Sequence, residues 1–110
     1  MSNSRVFGHL KGAGVEIAGG AHITLSNNII GANANGVLVR SGVSDFIIQG
    51  NHIGNIFKGS GATTQEHGVE IEAGSSNRYV VSSNTLTGNQ GAGLLDRGTG
   101  SNTAVANNVQ

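Results

Sequence analysis

The chain has 110 residues, a length suited to one domain. Six basic and six acidic side chains cancel, which leaves no electrostatic footprint for a nucleic acid or an anionic membrane as partner. The absence of cysteine excludes a disulfide scaffold and a thiolate metal site, and no apolar run approaches the roughly 20 residues that span a bilayer.

The opening stretch, Met1 to Gly14, lacks the charged region and apolar core of an export signal. Its "RVFG" matches the end of a unit that recurs along the chain. "GVEIAGGAHITLSNNIIGAN" begins at Gly14, and related units begin at Gly36, Gly68 and Gly93, which are 22, 32 and 25 residues apart. The second unit carries about ten extra residues, Lys58–His67, read as an inserted loop. Each unit has two short apolar strand patterns and a third, shorter one. Val15/Ile17, Val37/Val39 and Val69/Ile71 alternate on one strand. Ile23/Leu25, Phe46/Ile48 and Tyr79/Val81 alternate on the next, and Ile30, Ile53 and Leu86 mark the third. Period-two segments broken by Gly, Ser and Asn predict strands, and no stretch has a helical period.

Such units cannot bury their apolar sides alone. Stacked as coils, they form parallel strands about 4.8 Å apart around one continuous core, and four turns span about 19 Å. Asn28, Asn51, Asn84 and Asn108 recur in phase. Asn tolerates a left-handed turn, and stacked amides can hydrogen-bond from coil to coil. Phe46 and Tyr79 fall in the column of Ile23 and read as stacked core residues.

The "GV-x-I … I-x-L-x-x-N-x-I" unit resembles the right-handed parallel β-helix repeat of the pectate-lyase-like superfamily. The resemblance covers nearly the whole chain. It implies an all-β fold, a right-handed single-stranded parallel β-helix of about four coils with one loop insertion, as a single domain over residues 1–110. It also implies a setting among polysaccharide lyases, glycoside hydrolases and bacteriophage tailspikes, in which the partner is a polysaccharide and the location extracellular or virion-associated. The pattern starts and stops in mid-coil. That reads as a fragment, an excised or engineered minimal β-helix, or a protomer whose ends are covered by a homotrimer or by end-to-end association.

In-register stacking places Glu16, Leu38, Glu70 and Leu95 in one outward column and Ala18, Arg40, Glu72 and Arg97 in the next. Arg40, Glu72 and Arg97 then alternate in sign, either as a surface charge ladder or as a clamp for a sugar acid. In the second reading Arg40 and Arg97 hold a carboxylate, Glu70 and Glu72 serve as acid/base groups, His67 contributes from the loop and Phe57 offers a stacking platform. Glu16 and Glu70 stand two strands apart, about 9–10 Å, at the edge of the spacing of inverting glycosidases. The lyase and hydrolase signatures of the superfamily cannot be matched to these residues. Asp96 falls in the column of Ile17, Val39 and Ile71, where an unpaired carboxylate is costly. The expectation is a slipped register with Gly91 as the true start, or a frayed strand, with a buried functional carboxylate as the third alternative. His22 and His52 read as outward strand positions, and the four histidines lack a metal-ligand spacing, so no metal or other cofactor is expected. Two functions stay open: binding or cleavage of an acidic glycan, and a structural or adhesive shaft without chemistry in this segment.

Overall fold

The computed structural model describes residues 1–54 and 65–110. Those residues form eleven strands arranged in three parallel sheets. Sheet 1 stacks β2 (Ala13–Ile17), β5 (Asn35–Val39), β8 (His67–Gly74) and β10 (Leu94–Gly98). Sheet 2 stacks β3 (Ile23–Ser26), β6 (Phe46–Gln49), β9 (Tyr79–Ser82) and β11 (Ala104–Ala106). Sheet 3 holds β1 (Arg5–Phe7), β4 (Ile29–Gly31) and β7 (His52–Ile53), and isolated bridges continue it through Thr85 to Val109. One strand from each sheet makes a coil, so the chain is a β-solenoid of about four coils.

The apolar columns are in register as the repeat predicts. Val15, Val37, Val69 and Leu94 face one another along sheet 1, and Ile23, Phe46 and Tyr79 do so along sheet 2. In the two middle coils Val37, Val39, Ile48, Ile53, Val69, Ile71 and Val81 are fully buried. The Phe46 and Tyr79 rings stack with centroids 4.8 Å apart and planes 4° from parallel. Burying such side chains contributes about 1.5–3 kcal/mol each, and the coils share one core, so this apolar axis dominates the stability.

The asparagine column forms a ladder. Asn28 Nδ2 donates to Asn51 Oδ1, Asn51 Nδ2 to Asn84 Oδ1 and Asn84 Nδ2 to Asn108 Oδ1, at 3.0, 3.0 and 2.9 Å. The same oxygens also accept the backbone N–H groups of Asn28, Asn51 and Asn84. The left-handed residues of this turn are not the ladder asparagines. They are the residues immediately before them: Asn27, Gly50, Ser83 and Asn107, with φ from 55° to 70°. The turn thus divides the two tasks that the sequence reading assigned to one residue. One position makes the bend, and the next makes the hydrogen bonds.

Two further expectations are corrected. The last coil keeps the Gly93 start, with Leu94, Leu95 and Asp96 opposite Val69, Glu70 and Ile71. No slip to Gly91 occurs, and the irregularity comes one step later, between Asp96 and Gly98. Asp96 is tolerated in that column because it is exposed and its carboxylate is hydrogen-bonded. Its carboxylate accepts the Tyr79 hydroxyl at 2.9 Å and the Gly98 N–H at 2.9 Å. The stretch read as a loop to His67 rejoins the coil earlier. Gln65 is fully buried and donates to Asn89 Oδ1 at 2.8 Å, Glu66 N–H bonds Ala34 O, and His67 already opens β8.

Candidate functional site

The outer face of sheet 1 carries the charged residues singled out in the sequence. Glu16, Leu38, Glu70 and Leu95 lie in one register column, as expected. The ion pairs differ from a simple Arg40–Glu72–Arg97 stack. Arg40 reaches Glu16 with Nε at 2.7 Å and Glu72 with Nη1 at 3.1 Å. Arg97 falls in the irregular step of β10 and pairs with Glu70 instead, Nη2 to Oε1 at 2.6 Å.

Every one of these side chains is committed. Glu70 Oε2 accepts Asn35 Nδ2 at 3.1 Å, and Glu72 Oε1 accepts Ser41 N–H at 3.1 Å. The hydrogen bond to Glu16, above all, raises the Arg40 pKa beyond its ordinary value. Three carboxylates face two guanidiniums, so the cluster is net negative.

His67 does not join Glu70 and Glu72. Its Nδ1 accepts the Ala92 N–H at 3.0 Å, and Nε2 lies 3.8 Å from Glu66. Gly91 packs so closely that an added Cβ would stand 2.7 Å from the His67 ring, so the last coil holds the imidazole in place. Phe57 lies outside the described residues.

The outer face of sheet 2 presents something the sequence reading did not single out. An open groove of about 640 Å³ crosses all four coils. Its floor is the outward column Thr24, Ile47, Val80 and Ala104, and its wall is His22, Asp45, Arg78 and Asn102. The wall residues share a left-handed backbone, with φ of 56°, 57°, 52° and 56°. His22 is therefore a turn residue and not an outward strand position. Asp and Asn adopt this conformation readily and His less so, whereas for Arg78 it is unusual. Neighbouring coils hold it there: Arg78 N–H donates to Ser101 O and Asp45 N–H to Asn77 O. The same conformation recurs at the asparagine turn, so it belongs to the coil corner.

Charge in the groove is internally matched. Arg78 Nε and Nη2 grip the two oxygens of Asp45 at 2.6 and 2.7 Å. That grip holds the Asp45 carboxyl below its ordinary range, with a smaller pull from His22, and raises Arg78. Burial, with help from Asp96, pushes the Tyr79 phenol up to about 12, so it remains a neutral donor. The groove offers hydrogen-bonding groups over an apolar floor. Among the described residues, no group of three or more His, Asp or Glu is placed to hold a metal ion.

A signal for the wall was present in the sequence. His22, Asp45, Arg78 and Asn102 recur with the same intervals as the asparagines, 23, 33 and 24 residues. Their side chains have nothing in common, so a search for repeated chemistry passes over them.

The family model described as a right-handed beta helix region covers residues 1–109. No curated protein and no solved structure matches the chain.

Proposed function

The chain belongs to the right-handed β-helix family, and on that scaffold we propose that it binds a polysaccharide along the groove over sheet 2. The observation that carries this reading is the groove itself. It is long, open and in register, with one polar wall residue per coil above a floor of Thr24, Ile47, Val80 and Ala104. A stacked fold repeats its surface at the strand spacing, and that suits a ligand that is itself a repeating chain. Sugar rings have apolar C–H faces and hydroxyl edges, which match such a floor and such a wall. A polysaccharide partner favours an extracellular or virion-associated setting, as in tailspikes.

The reading is one of binding without cleavage in this segment. Glu70, Glu72, Arg40 and Arg97 are mutually paired, and His67 is occupied by a backbone amide. The test has two arms. Retention of the protein in gels containing polysaccharide is expected to vanish on Ile47→Asp, which places a charge on the floor. Release of reducing ends or unsaturated products is expected to be absent with or without Glu70→Gln. Product release that disappears in Glu70→Gln would instead establish an enzyme acting on the sheet 1 face.

A structural shaft is the second reading. Its support is the closed set of ion pairs on sheet 1, which resembles a solvated surface more than a site. A folded protein that no polysaccharide retains would favour it.

A further inference from the structure

Granted the glycan-binding reading above, we infer that the groove over sheet 2 selects neutral glycan chains over acidic ones. Arg78 is the one arginine or lysine among the groove-lining residues, and Asp45 already holds it at two points, 2.6 and 2.7 Å away. A uronate or sialate carboxylate at the remaining Nη1 donors stands close to the Asp45 carboxylate, and it gains the two-point grip only by taking Arg78 from Asp45. A hydroxyl meets no such obstacle. The pair uses Nε and Nη2, a guanidinium has further donors on Nη1, and the Arg78 side chain is 57% exposed. Asn102 adds an amide on the same wall, and Ile47, 39% exposed, offers the floor to C–H faces. The net-negative cluster on sheet 1 gives an acidic chain no better landing.

Asp45 is thus the residue that sets selectivity, by neutralising the arginine that would otherwise recognise a carboxylate. Asp45→Asn removes the charge and keeps a residue that accepts the left-handed backbone at φ 57°.

The experiment measures the whole chain and this variant on an array of neutral and of uronate- or sialate-bearing oligosaccharides, with thermal unfolding run alongside. The wild type is expected to prefer neutral members by about tenfold or more, with affinity insensitive to salt between about 50 and 500 mM. Asp45→Asn is expected to gain about tenfold on acidic members, since its arginine is released for bidentate contact. Wild-type preference for acidic members, or a steep salt dependence, would overturn the inference and leave glycan binding intact. So would a folded Asp45→Asn that gains nothing on acidic members. If Asp45→Asn does not fold, the wild-type preference and its salt dependence decide alone. Binding to no member would remove the glycan-binding reading and this inference with it.

Discussion

Two columns of this solenoid recur at the same intervals and behave in opposite ways. Asn28, Asn51, Asn84 and Asn108 repeat one residue type, and the first three are essentially fully buried. His22, Asp45, Arg78 and Asn102 repeat one backbone conformation with four different side chains at the surface. Inside, each coil must meet the same hydrogen-bonding demand, so the residue cannot vary. Outside, the turn fixes only φ, and the side chain is left to vary. In a stacked fold, sameness in register marks framework, and difference in register marks the surface where function can be written.

The comparison breaks first if the inner column is dispensable. Asn51→Ala leaves Asn28 N–H and one Nδ2–H without their acceptor and removes the amide that donates to Leu25 O. Buried groups left unpaired cost about 1–3 kcal/mol each, so a loss of about 2–4 kcal/mol is expected in urea unfolding. A loss below about 1 kcal/mol would mean that the ladder is not a framework.

Next comes the close stacking that brings the coils into register. At Gly36 an added Cβ would lie 2.4 Å from both Gly68 O and Ile53 Cγ2. Gly36→Ala is expected to cost about 1–3 kcal/mol by overpacking, measured the same way. An unchanged midpoint would argue that the coils can separate freely at that point.

The outer column should respond differently. Arg78→Gly relieves a left-handed arginine, so its thermal midpoint is expected to stay within about 2 °C of wild type or to rise. Polysaccharide retention is expected to be lost in the same variant. A marked loss of stability with binding intact would invert the roles assigned to the two columns.

The smallest effect is one of pH. Folding lowers the Asp45 pKa, so the contribution of its pair with Arg78 is fully present above the ordinary value of 3.8 and fades as pH falls through the lower folded value. The unfolding midpoints of wild type and Asp45→Asn are expected to converge across that acid window. Curves that remain parallel down to about pH 2 would remove the pair from the account.

The fold was legible because its signals repeat. Val15/Ile17 and their equivalents gave the strands, the Gly starts gave the coil length, and the asparagines gave the ladder, each confirmed by register. The left-handed residue was misassigned by one position, since bend and ladder lie side by side and Asn fills both at Asn27/Asn28 and Asn107/Asn108. Asp96 was misread because column position alone does not give exposure. The residue is exposed, and its carboxylate accepts the Tyr79 hydroxyl. The charged cluster on sheet 1 was found by its chemistry, but pairing could not be read from columns alone. Arg97 turns to Glu70 only because β10 breaks register after Asp96. The groove was hidden by the variety of the residues that wall it.

The ladder also bears on how the solenoid yields to force. Asn51 accepts from Asn28 and donates to Leu25 O in the coil before it, while its own N–H groups reach Asn84 in the coil after. Each rung is therefore fastened to both neighbours at once. Under tension along its axis, such a stack does not shed its inner coils singly, because releasing one strips partners from two. The interior should therefore give way as a block.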